Sequence, residues 1–201
     1  VSPHGPGLAA PPPLEIGNGV THSFRPDVGA LRHRAAQDLR EGAVTPGYVA
    51  DRTMVLELLS TALATELVCV LRYKRHQFLA QGIHTKAIAA EFGKHAGEEL
   101  QHADEIAARI VQLGGEPDFS PDALSARSHV EYRTGTDLRS MLEEDLIAER
   151  IAIDTYRDVL RYLGSDDPTT ARMISGILAT EEEHAEELAS LLRGFPPAAT
   201  A

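Results

Sequence analysis

Apolar residues recur along most of this chain at alternating steps of four and three, the spacing that lines one face of an α-helix. The pattern sets in near Asp51 and predicts four long helices, at about residues 51–81, 85–113, 136–163 and 168–193. A glycine follows each one, at Gly82, Gly114, Gly164 and Gly194, where the left-handed conformation after a helix end is easily adopted. Asp167-Pro168 opens the fourth with a capping carboxylate and a first-turn proline. Few residues join the first helix to the second, or the third to the fourth, so each pair must be antiparallel. Residues 114–135 are rich in turn formers and long enough to run the length of a bundle. The expected fold is all-α: an antiparallel four-helix bundle at 51–194, with one long crossover between helices two and three.

Residues 1–50 read as an N-terminal extension. Within it, 1–13 (VSPHGPGLAAPPP) are too rich in proline and glycine to bury a core, and are expected to be disordered. Leu31, Ala35 and Leu39, four apart and followed by Gly42, predict a short helix over 27–41. Residues 195–201 are expected to form a disordered tail.

The apolar seams are interrupted in a regular way. Helix one carries Leu59, Leu63, Glu66, Val70 and Tyr73; helix three carries Leu142, Leu146, Glu149, Ile153 and Tyr156 at the same spacings. Helices two and four each carry a Glu-x-x-His turn, Glu99 with His102 and Glu181 with His184, in the similar stretches EELQHADEIA and EEEHAEELAS. One such turn is weak, since nine histidines and abundant acids make a chance match easy. Its position decides the matter: Glu99 and Glu181 stand in otherwise apolar stripes. The chain therefore reads as a duplicated helix hairpin that points four glutamates into one core at similar depth. Unpaired buried carboxylates are costly, and no lysine or arginine occupies a matching seam position. Two divalent cations would balance four carboxylates, with His102 and His184 as neutral nitrogen ligands. Glutamate and histidine three apart share a helical face, so both can reach one metal pair. Oxygen-rich donors with one imidazole per metal suit iron or manganese better than zinc.

Charge narrows the partners. With 30 acidic residues against 19 basic ones, the formal net charge is −11, which opposes nucleic-acid and anionic-membrane surfaces and favours cations. The single cysteine, Cys69, excludes an intrachain disulfide and reads as a small core residue. No uninterrupted apolar run reaches the length of a membrane span, and no signal-peptide plan opens the chain, so a cytoplasmic protein is expected.

The stretches LATELVCVLRYKRH (63–76), EELQHADEIAARIVQLGGEP (98–117), EDLIAERIAIDTYR (144–157) and ATEEEHAEEL (179–188) resemble the bacterioferritin-type members of the ferritin superfamily. The resemblance covers about residues 51–193. It implies Glu66 and Glu149 as terminal ligands, Glu99 and Glu181 as bridging ligands, and His102 and His184 as terminal nitrogens of a di-iron site. It also places Tyr73 beside that site, as a redox or supporting residue or as a core aromatic whose hydroxyl finds a carboxylate. Haem-binding relatives carry a methionine just after the bridging glutamate of helix two; here that position is Leu100, so no haem is expected. The short fifth helix of 24-subunit cages has no counterpart after Gly194, which implies a Dps-like mini-ferritin shell, a homo-oligomer of about twelve subunits. The implied activity is that of a ferroxidase, oxidising Fe2+ with O2 or H2O2 and storing Fe3+. The alternatives are a dimetal catalase or peroxidase, and a non-enzymatic DNA-protecting protein of the Dps type.

Overall fold

In the computed structural model the described residues are 26–80 and 85–195. They contain six α-helices: α1 (Val28–Ala35), α2 (Arg52–Leu79), α3 (Lys86–Gln112), α4 (Leu124–Arg127), α5 (Leu138–Leu163) and α6 (Pro168–Arg193). No strand occurs among the described residues. The expected disorder of 1–13, the helix stop at Gly82 and most of the 195–201 tail lie outside them.

Three of the four long helices begin where carboxylates can cap them. Asp51 accepts from the Thr53 and Met54 amides, and Asp137 forms a reciprocal capping box with Ser140. Asp167 accepts from the Thr170 amide, with Pro168 in the first turn. The helix ends divide. Gly114 and Gly164 take positive φ, +80° and +49°. Gly194 does not: at φ −74° it simply continues the right-handed turn, so it stops nothing by conformation. Gly135 serves differently, because a Cβ there would lie 2.2 Å from the Met141 amide nitrogen.

Helix α2 packs along α3, and α5 along α6; the two hairpins then meet through α2 with α5 and α3 with α6. The crossover between α3 and α5 lies along α2, held by the small helix α4. By length and composition alone α2 would pass as a membrane-crossing segment, but its apolar face is the bundle core and Glu66 sits mid-helix in that face. The buried seam of α2 runs Val55, Leu59, Ala62, Glu66, Cys69, Tyr73 and His76. It passes through Cys69, which is buried, rather than Val70.

The expected 27–41 helix is shorter and broken. Helix α1 ends at Ala35, Asp38 takes φ +46°, and only a single 3-10 turn follows at Leu39–Glu41. None of its residues is buried, so no packing energy holds a longer helix together. Tyr48 ties the extension to the bundle end, its hydroxyl donating to Asp167 Oδ2 at 2.8 Å.

The core is not one continuous apolar mass. One cluster, including Leu59, Ile106, Val159 and Ile174, fills one end of the bundle. A second, including Val68, Phe92, Leu142 and Leu188, fills the other. Glu66, Glu99, Glu149 and Glu181 are buried between them, one from each long helix.

Candidate metal centre

Each of those glutamates reaches the middle layer because it occupies a seam position of its helix. The histidines follow by helical geometry, three residues on. The six side chains fall into two overlapping groups: Glu66, Glu99, His102 and Glu181, and Glu99, Glu149, Glu181 and His184. Within each group one donor atom per residue lies within 4.8 Å of every other. Glu99 and Glu181 belong to both. All six residues expected from the sequence are thus brought together, and the two hairpins contribute equivalent sets.

Both imidazoles turn Nδ1 inward. His102 Nδ1 lies 3.4 Å from Glu66 Oε2, 3.4 Å from Glu99 Oε2 and 3.1 Å from Glu181 Oε1. His184 Nδ1 lies 3.4 Å from both Glu99 Oε1 and Glu181 Oε2. Despite this crowding, most of the donor atoms are unsatisfied: Glu66 Oε2, Glu99 Oε1, Glu149 Oε2, both Glu181 oxygens and His184 Nδ1 have no hydrogen-bond partner. Buried polar atoms are rarely left so. The donor set therefore fits metal cations, which the orphaned oxygens and nitrogen could bind.

Without metal, protons carry part of the compensating charge. Burial, then the Glu181 and Glu99 charges, push the Glu66 carboxyl well above its ordinary range, and burial with the same two neighbours does so for Glu149. Burial works against charge on the histidines too, but the surrounding carboxylates overcome it, lifting His102 to about 12 and His184 to about 10. Glu99 moves the other way: despite burial, the neighbouring Glu66, His102 and His184 hold it low.

Tyr73 donates its hydroxyl to Glu149 Oε1 across the bundle. Tyr156, its counterpart in the repeat, donates to Glu66 Oε1. Each hairpin thus supplies the tyrosine that orients the other hairpin's outer carboxylate. A separate buried network lies nearby on the same helices. Arg72 Nε donates to Asp145 Oδ1 and His76 Nδ1 lies against Asp145 Oδ2, both at 2.7 Å. Arg72 is buried and paired to Asp145, so it leaves the four glutamates uncompensated.

The 98–102 turn holds a surprise. Spacing places Glu98, Glu182 and Glu183 off the seam. Glu182 pairs with exposed Arg157, and Glu183 is exposed. Glu98, however, lies 2.8 Å from His184 Nε2 and so holds the far side of a candidate ligand. Leu100 is half-exposed on α3, away from the buried centre.

The chain matches the sequence model of the ferritin-like domain over residues 56–196. It belongs to the ferritin-like family. Among its relatives, a nutrient stress-induced DNA-binding protein of Synechococcus is 30% identical over 143 residues, 70% of this chain and 81% of that protein. A bacterioferritin of Rhodobacter capsulatus is 32% identical over 64% of this chain and 76% of its own. Of the solved structures, the dodecameric thioferritin of Bacteroides fragilis, described as bacterioferritin-related, superposes with a TM-score of 0.69 at 30% identity, covering 72% of this chain and 88% of that one. The matched region contains all six buried donors of this ferritin-like chain.

Sequence reasoning missed Tyr156 as a partner of the site, although it had already aligned it with Tyr73. It also missed His95, which is fully buried and stacks on His184 with ring centroids 4.0 Å apart. The signal was present: His95, Glu99 and His102 follow one another at four and three along one stripe.

Proposed function

We propose that this ferritin-like protein oxidises Fe2+ at the paired centre and stores the Fe3+ inside a shell of its own copies. The observation that carries this reading is the pair of buried donor groups sharing Glu99 and Glu181, with their oxygens unsatisfied. In it, Glu66 and Glu149 are terminal ligands, Glu99 and Glu181 bridge, and His102 and His184 supply one nitrogen each. The donor set suits iron, and manganese by the same chemistry. Two Fe2+ would give up one electron each, reducing O2 to H2O2, or H2O2 to water, with uptake of two protons.

The protein's share is charge and geometry. Glu66, Glu149, His102 and His184 would each release a proton as cations replace them, and Tyr73 and Tyr156 keep the two outer carboxylates aimed inward. The two apolar clusters close the layer above and below, keeping bulk water from competing for the donors. No haem is part of this reading, because Leu100 offers no sulfur.

Changing Glu99 or Glu181 to alanine should abolish rapid Fe2+ oxidation, followed by stopped-flow absorbance, while leaving helical circular dichroism intact. The metal-free variants should be as stable as the parent or more so, since each loses a buried charge. Oxidation at the parental rate in either variant would sink the assignment.

The Synechococcus relative's name raises a DNA-binding reading. A formal net charge of −11 opposes it, and a gel shift at low salt separates the two.

A further inference from the structure

Outside the paired centre, α3 and α6 carry a second convergence of donors. His95, one turn before Glu99, and Glu187, one turn after His184, face each other across the helix pair. His95 Nε2 lies 2.8 Å from Glu187 Oε2 and 3.5 Å from Glu91 Oε1. One donor atom from each of Glu91, His95 and Glu187 lies within 4.8 Å of the others, close enough for one ion to touch all three. Two half-exposed carboxylates would mean little alone. The imidazole between them is different: it is fully buried, and its Nδ1 has no hydrogen-bond partner.

The position is as telling as the donors. The His95 ring stacks on His184 at 4.0 Å, and His95, Glu98 and His184 form a further group of donor atoms within 4.8 Å of one another. His184 Nδ1 faces Glu99 and Glu181, while its Nε2 faces Glu98. Overlapping donor groups therefore lead from half-exposed Glu91 and Glu187 inward to the paired centre. A cation already marks the outer end: the Lys94 ammonium lies 3.0 Å from both Glu187 oxygens and 3.3 Å from Glu91 Oε1. Its side chain is 47% exposed, so it can swing into water and give up the place to an ion.

We propose that Glu91, His95 and Glu187 form a third divalent-cation site, one helical turn from the paired centre, which takes up Fe2+ and passes it inward along Glu98 and His184. The passage inward rests on the paired centre being the site of oxidation; the third site itself does not. One imidazole and two carboxylates suit Fe2+, Co2+ and Zn2+ alike.

Anaerobic Co2+ titration of the metal-free full chain, with bound ions counted by equilibrium dialysis and visible absorption, tests this without any turnover. The parent should bind three Co2+ per chain, the Glu91→Gln/Glu187→Gln variant two, and the Glu99→Ala/Glu181→Ala variant one. Two ions in the parent, or three in the Glu91→Gln/Glu187→Gln variant, would overturn the third site. A parent that binds one ion, lost on changing Glu187 but kept on changing Glu99, would uphold the third site and remove the paired-centre reading instead. Lys94→Gln leaves the fold untouched and removes the competitor, so the third Co2+ should bind about two- to fivefold more tightly, the range an exposed ion pair commands. Weaker third-ion binding in that variant would overturn the exchange of Lys94 for metal.

Discussion

At the scale of single residues, the centre shows how a helical bundle accommodates charge in its middle. Glu66 and Glu149 are aimed by tyrosines from the opposite hairpin, while Glu99 and Glu181 sit among imidazoles. The two readings open for Tyr73, supporting residue or core aromatic, separate by experiment. Groups that orient metal ligands typically matter by about 10- to 100-fold in affinity or activity. Tyr73→Phe and Tyr156→Phe should therefore each slow Fe2+ oxidation by about tenfold or more, and by similar factors, because the repeat gives them equivalent partners. Parental rates in both would reduce the hydroxyls to hydrogen-bonded core filling.

At the scale of elements, the bundle is pinned by buried polar ties as well as by its seams. The clearest joins three segments. Asp167 caps α6, accepts from Tyr48 of the extension, and pairs with Arg109 of α3 at 2.8 Å. Burial alone would raise the Asp167 pKa, but bonds from Thr170, Tyr48 and Arg109 outweigh it and hold the carboxyl below its ordinary value. A carboxylate with a lowered folded-state pKa contributes its full stability above the unfolded value, about 3.9, and loses it as pH falls through the folded value. Asp167→Asn should thus lower unfolding free energy by about 3 kcal/mol at pH 6, since it strands Arg109 without its partner. The gap between parent and variant should narrow below about pH 4. Urea unfolding at several pH values measures it, and a gap at pH 3 as wide as at pH 6 would contradict the assignment.

At the scale of the whole molecule, iron storage requires closure. Closed symmetry sets how many copies fit, and threefold and twofold contacts suffice for a shell of about twelve subunits. Helix α1 carries no buried residue, and Val28, Leu31 and Leu39 are exposed along the extension, available to reinforce such contacts. At 21.7 kDa per chain, twelve copies make a particle of about 260 kDa, against about 520 kDa for twenty-four. Size exclusion coupled to light scattering should give the smaller mass, with no Soret absorption in the peak after expression with added haem. A particle near the larger mass would refute the twelve-subunit proposal, a stable dimer would remove storage, and stoichiometric haem would point to an axial ligand other than residue 100.

What the sequence determined by itself is what periodicity can carry. A four-three repeat sets which face of each long helix is buried, and a glutamate on that face must enter the core wherever the partner helices lie. The four long helices, their antiparallel pairing and the six converging side chains were therefore legible in the sequence, whereas the small helix α4 in the crossover was not. The duplicated spacing also made their two-fold arrangement readable. Tertiary structure decided what depends on facing surfaces. Glu98 stands off the seam on α3, yet α6 brings His184 Nε2 to 2.8 Å from it. His95 and Glu187 lie 92 residues apart and meet only because two helices from different hairpins pack side by side. The 27–41 helix broke for the opposite reason: local propensity favoured it, but no surface of the described bundle covers it. Spacing along one helix is a property of the chain, whereas contact between helices is a property of the fold.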